Sequence, residues 1–306
     1  MFGISINDGS AMKFQSTVLF FIILAGCAQN NSDNTKDDPS EKGDNMATMS
    51  HSEGSSQNQN KNAQMGENLH NGADATNEEL TSLGFVYVNP GDFTQGDHNG
   101  LSLTNAIPSH QVTISKAYYI HEHEVTLGEF QRFDPSARGD VDCASDSDCP
   151  VVFVSWNDAN AYINWLNEEH SLGDDYKYRL CSESEWEYAA RAGSDTKWAH
   201  GNDIDSLEDL AWFNNPGQIG YKVKLKQPNA WGLYDMHGNM RELVADTWSK
   251  YSEGEKLDPL VGGDGPKVWK SGNWCLSADQ VRSAMRGQIG ADSKSHVVGF
   301  RLCASR

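Results

Sequence analysis

Between Ala28 and Leu80 the chain has no aromatic residue, no Val and no Ile, but many Asn, Ser, Gln and Asp. Such a stretch cannot bury enough apolar surface to offset the entropy of ordering it, so the fold must be built from the residues after Leu80. Ten acidic against three basic residues make the segment an acidic tether, in which His51 and His70 are isolated and read as solvated. The whole chain of 306 residues suits one large or two small globular domains, and nine Trp, ten Tyr and eleven Phe suffice for a packed core. The 28 Gly point to a loop-rich fold, not a helical bundle. A formal charge of -19 repels a phosphate backbone and gains nothing from counterion release, which sets nucleic acid aside as a partner.

Upstream, Val18 to Leu24 is apolar, too short to span a bilayer as a helix and of the length of a signal-peptide core. Met12-Lys13 supplies the basic start that Met1 to Ala11 lacks, which makes Met12 a candidate initiator. Leu24-Ala25-Gly26-Cys27 resembles the lipobox of bacterial lipoproteins, which implies cleavage before Cys27 and its lipidation. The expectation is an exported protein of the cell envelope held to the membrane by a lipid anchor, with residues 1–27 as signal and 28–80 as tether. Ala28 resembles the outer-membrane sorting pattern; the choice between periplasmic face and cell surface stays open. Export also permits disulfides, and Cys143-x5-Cys149, bounding an acidic loop, predicts a local one. Setting Cys27 and that pair aside leaves Cys181, Cys275 and Cys303, at least one of them unpaired in a monomer. Cys181 with Cys303 is one option, which order along the chain does not decide.

From residue 81 to 306 the pattern is that of a single domain. Phe85-Val-Tyr-Val88, Gln111-Val-Thr-Ile114 and Ala117-Tyr-Tyr-Ile120 alternate as half-buried strands do. A helix is predicted over Ser155 to His170, capped by Asn157, with Ala159, Tyr162, Ile163 and Leu166 on one stripe. A second starts at the capping box Ser182-x-x-Glu185, buries Trp186, Ala189 and Ala190, and stops before Gly193, with Cys181 placed to pack on Trp186. Gly- and Asn-rich loops come next, then an apolar stretch from Val268 to Trp274 and a last strand from Gly299 to Cys303. With neither repeats nor strand–helix alternation, the class is α+β.

Pro150-Val-Val-Phe-Val-Ser-Trp156, Tyr178-Arg-Leu with Ser182 to Arg191, Pro228-Asn-Ala-Trp-Gly-Leu-Tyr-Asp-Met-His-Gly-Asn239 and Gly299-Phe-Arg-Leu302 together resemble the formylglycine-generating-enzyme, or sulfatase-modifying-factor, domain. The resemblance implies the compact variant of the C-type-lectin-like fold, low in regular structure, with the last strand returning near the first. It also implies, for catalytic members, copper held by two thiolates near the C-terminus, which suits a soft monovalent cation. Cys275 matches the first thiol position, but no Cys follows before Cys303, and Ser271-Gly272-Asn273 replaces the usual Gly-Gly-Ser. Copper is therefore not the expected cofactor. Calcium is the metal that the resemblance implies, at Asn239 and Glu242, against the simpler reading of a glycine turn with a capping Asn. Arg241 and Leu243 stand there for two Trp usual in the motif.

Two other motifs read as structural. His121-Glu-His-Glu124 puts both imidazoles on one face of a strand, but the sequence names no third metal ligand. Gln227-Pro228-Asn229 resembles a sugar-binding signature of true C-type lectins yet lies inside the family phrase. The functional expectation is a non-catalytic binding module whose C-terminal loop presents Trp274, Cys275, Leu276, Ser277, Gln280, Met285 and Gln288 to a protein, peptide or glycan. Some members of this fold diversify that region through retroelements, and residues 275–298 are where such variation would fall. The alternative is a formylglycine-generating oxidase or another metal-dependent oxidoreductase, with Cys275 and Cys303 as its best thiols.

Overall fold

The computed structural model describes residues 72–98, 105–139, 146–172, 175–216 and 220–306. The signal, the lipobox with Cys27, residues 28–71 and Cys143 lie outside these, so the readings placed on them are not addressed by the fold. Order begins earlier than residue 81: α1 (Gly72–Ser82) occupies the end of the segment read as tether. Its Leu80 is fully buried in the core with Phe85, and Tyr119 donates a hydrogen bond to the Asn77 side chain. One well-placed leucine anchors a helix whose composition is otherwise that of a tether.

Three small sheets share the framework. The first runs β1 (Phe85–Val88), β4 (Tyr118–His121), β11 (Leu302–Ser305), β5 (Lys177–Leu180), all antiparallel. The last strand thus lies one strand away from the first. The second is β10 (Val298–Phe300), β6 (Arg241–Thr247), β8 (Lys267–Lys270), β9 (Arg286–Ile289), with β10 parallel to β6 and the others antiparallel. The third joins β2 (Gly91–Gln95), β3 (His110–Ile114) and β7 (Lys256–Leu257). The single strand expected from Gly299 to Cys303 is two strands in two sheets, and Arg301 is the joint between them. Its guanidinium turns inward to Glu242 on β6, which costs a ladder position but ties the sheets together.

Five α-helices and a short 3-10 helix (Ala278–Gln280) complete the described fold: the α-helices are α1, α2 (Leu127–Gln131), α3 (Trp156–Glu169), α4 (Glu183–Arg191) and α5 (Ile204–Leu207). On α3 the stripe Ala159, Tyr162, Ile163 and Leu166 is buried as expected, but the cap is Ser155, not Asn157. Ser155 Oγ accepts from the Asp158 amide while the Asp158 carboxylate accepts from the Ser155 amide, a reciprocal cap made with Asp in place of Glu. On α4 the box formed by Ser182 and Glu185 is present, and the chain leaves the helix through Ala192 in the left-handed region before Gly193. Cys181 and Trp186 share one core cluster, as their spacing suggested.

Candidate functional site

The C-terminal loop is less of a surface than its sequence implies. Trp274 and Leu276 are 2% and 4% exposed and belong to two separate core clusters, and Cys275 is buried. Of the seven residues expected to face a ligand, Ser277, Gln280 and Gln288 are exposed and Met285 is half-buried. The apolar members went inward because the loop is clamped by backbone bonds. The Trp274 and Leu276 carbonyls accept from Asn215 and Asn214, and the Trp274 amide donates to Asn239. A Cβ on Gly272 would lie 2.1 Å from the Gln280 carbonyl oxygen, so the turn closes only around glycine. His237 fixes the far side, accepting from the Ala199 amide through Nε2 and donating from Nδ1 to the Val281 carbonyl. Burial lowers its pKa to about 4, so the ring is neutral, as that pairing requires.

The thiols are committed. Cys181 and Cys303 form a disulfide with Cα atoms 5.0 Å apart, linking the start of α4 to β11. Cys149 and Cys275 each take part in a disulfide as well, and among the described residues no cysteine is free. This corrects the expectation that one of Cys181, Cys275 and Cys303 stays unpaired, which assumed fates for Cys27 and Cys143, two residues not described. Copper(I) needs thiolates, and in this oxidised state neither Cys275 nor Cys303 offers one, so the donor set does not fit that metal.

Calcium at Asn239 and Glu242 does not fit either. Both side chains are fully buried. The Glu242 carboxylate takes Arg301 Nε and Nη2 at 2.6 and 2.7 Å and Trp186 Nε1 at 2.7 Å, so a guanidinium stands where a hard cation would. Asn239 Oδ1 accepts from the Tyr221 amide, and its Nδ2 donates to Glu124 and to the Tyr221 carbonyl. The turn before Asn239 is the glycine turn of the simpler reading: at Gly238, φ +87°, a Cβ would sit 1.9 Å from the Trp212 carbonyl oxygen. Where the two usual Trp are replaced, Arg241 lies 4.5 Å over the Trp269 ring and Leu243 fills core.

Glu124, Asp235 and Glu242 share this region with Arg301 as their buried cation. Glu124 receives the Met240 amide and Asn239, and burial, then Asp235 and Glu242, raise its pKa. Asp235 accepts from the Lys224 amide through Oδ2, while its buried Oδ1 has no partner and is the place for a proton. Burial pushes its pKa up to about 6, with Glu242 adding to the rise and the Lys224 amide and Arg301 opposing it. An acid whose pKa rises on folding stabilises the fold fully below its unfolded value near 4 and loses that contribution as pH rises through 6. The urea midpoint of wild type relative to that of Asp235→Asn should therefore fall between about pH 4.5 and 7, since the opposite contribution of His237 is common to both. A difference that stays constant over that range would place the proton elsewhere.

The third motif gains a member. His121 and His123 pack edge to face with centroids 4.3 Å apart, and Glu129 on α2 brings a carboxylate oxygen into their group, all three donor atoms within 4.8 Å of one another. Glu129 was missed because it is the third residue of the Thr126 capping box, a signal that reads as purely structural. Asn229 is structural as expected: it accepts from the Trp231 and Leu233 amides and donates to the Ala189 carbonyl.

The chain belongs to the sulfatase-modifying factor enzyme 1-like domain family, which matches residues 71–306. It is 32% identical over 197 residues to the formylglycine-generating enzyme of Streptomyces coelicolor, covering 58% of this chain and 59% of that one. To the inactive C-alpha-formylglycine-generating enzyme 2 of Mus musculus it is 31% identical over 172 residues, covering 51% and 49%. The chain thus spans about half to three-fifths of these relatives. Among solved structures, Treponema denticola variable protein 1 superposes with a TM-score of 0.65 at 26% identity, covering 72% of this chain and 95% of that one.

Proposed function

We propose that the protein is an exported, lipid-anchored binding module that uses a formylglycine-generating-enzyme-like domain as a rigid scaffold, not as an oxidase. The observation that carries this reading is the state of the thiols: Cys303 is locked to Cys181 inside the core and Cys275 is disulfide-bonded, which leaves no thiolate pair for copper among the described residues. Likeness to an inactive mammalian relative and to a variable protein of Treponema supports the same reading. The ligand, a protein, peptide or glycan, would meet the exposed part of the C-terminal loop around Ser277, Gln280 and Gln288. The alternative, an oxidase, draws on the 32% identity to the Streptomyces enzyme.

Two measurements test the proposal. The purified chain supplied with Cu(I) and a Cys-containing peptide should consume no oxygen; peptide turnover that Cys275→Ser abolishes would establish the oxidase instead. In a bacterial host, labelling with a palmitate analogue should mark the protein, and Cys27→Ser should lose both label and membrane retention.

A further inference from the structure

We propose that His121, His123 and Glu129 form a binding site for a divalent transition cation of the zinc class. The first sign is that backbone carbonyls orient both imidazoles. His121 Nδ1 lies 3.0 Å from the His123 carbonyl oxygen and Nε2 lies 3.1 Å from that of Leu83. Donation from one of these nitrogens to its carbonyl orients the ring, and the other serves as ligand by giving up its present contact when the ion enters. His123 is set up differently: its Nδ1 is 2.7 Å from the Glu124 carbonyl, and donating there leaves Nε2 as a bare lone pair. That is the arrangement in which a backbone acceptor orients a metal-binding imidazole.

Glu129 completes the set. One carboxylate oxygen, Oε2, accepts from the Thr126 amide in the capping box at 2.8 Å, and a carboxylate has a second. The cap holds the side chain in place without consuming it. Two imidazoles and a carboxylate leave a further coordination position for water, the donor count of an open zinc or iron site. Donors around such an ion sit about 3.3 Å apart. The present span of 4.8 Å therefore closes by side-chain rotation when the ion enters. Entry is open: a cavity of about 500 Å³ adjoins the group, its lining including His123, Thr126, Glu129, Lys222 and Lys224. The two lysines are engaged by Asp146 and Glu122, which moderates their repulsion of an incoming cation.

The experiment uses the full chain and Co²⁺ as the probe, with visible absorption reporting the ligand set. One equivalent should bind with bands of a four- or five-coordinate nitrogen–oxygen site, and Zn²⁺ should displace it. His123→Ala and Glu129→Gln should each weaken binding at least tenfold. Glu129→Gln still forms the capping box, so it tests the ligand without testing the fold. His51→Ala/His70→Ala, in the acidic N-terminal segment, should leave binding unchanged. Binding that survives His123→Ala and Glu129→Gln, or that vanishes with His51→Ala/His70→Ala, overturns the proposal, as does no binding at all. None of these outcomes depends on the oxygen-consumption assay, so the site and the non-catalytic reading stand or fall separately.

Discussion

Replacing Glu242 with Ala should cost about 3–5 kcal/mol of folding stability, a large share of the total for a domain of this kind. The loss would not come from the ion pair being strongly stabilising in itself, because desolvating two charges offsets most of their attraction. It would come from stranding Arg301, 1% exposed, with no carboxylate in reach of Nε. Arg301 Nη2 would keep only the Tyr234 carbonyl, and Trp186 Nε1 would lose its acceptor in the same core. The distinguishing result is non-additivity. Glu242→Leu combined with Arg301→Met should be far less damaging than the sum of the two single variants, since removing both charges removes the penalty that removing one creates. Urea unfolding of the three variants measures this directly; additive losses would mean that the pair is not coupled as its geometry demands.

Where side-chain periodicity alone decided the structure, it was readable in the chain. The stripe of α3 and the capping box of α4 depend on residues within one or two turns of each other, and both formed as the spacing predicted. The reading failed where a partner distant in sequence decides. Gly299 to Cys303 looks like one strand, and only Glu242, on β6, explains why Arg301 breaks it in two. Trp274 and Leu276 look like a ligand-facing surface until Asn214, Asn215 and Asn239 are seen to pin their backbone inward. Glu129 was hidden for a different reason: only six positions after His123, it reads as part of the Thr126 capping box, and the bend after β4 is what brings it back to the histidines. The family resemblance could supply the fold, but not the meeting of Arg301 with Glu242 or the disulfide between Cys181 and Cys303. Those depend on which side chains meet in space.

The Cys181–Cys303 bridge is the second feature expected to dominate stability. It closes a loop of 122 residues, and cross-linking a loop of that length removes about 5 kcal/mol of chain entropy from the unfolded state. Both residues are buried in the core cluster that also holds Trp186, so the reduced thiols would still pack as small apolar groups. Cys181→Ala/Cys303→Ala should therefore lower stability by nearly the loop term, with only a small packing loss beside it. Reductant would also open the bonds of Cys149 and Cys275, so urea midpoints of wild type and double variant are compared without it. A fall below about 1 kcal/mol would mean that the unfolded chain is already held compact by other contacts. A fall of about 5 kcal/mol would instead tie the domain's stability to an oxidising compartment. That outcome agrees with the export expected from its N-terminus, because in a reducing cytosol the bridge would not persist.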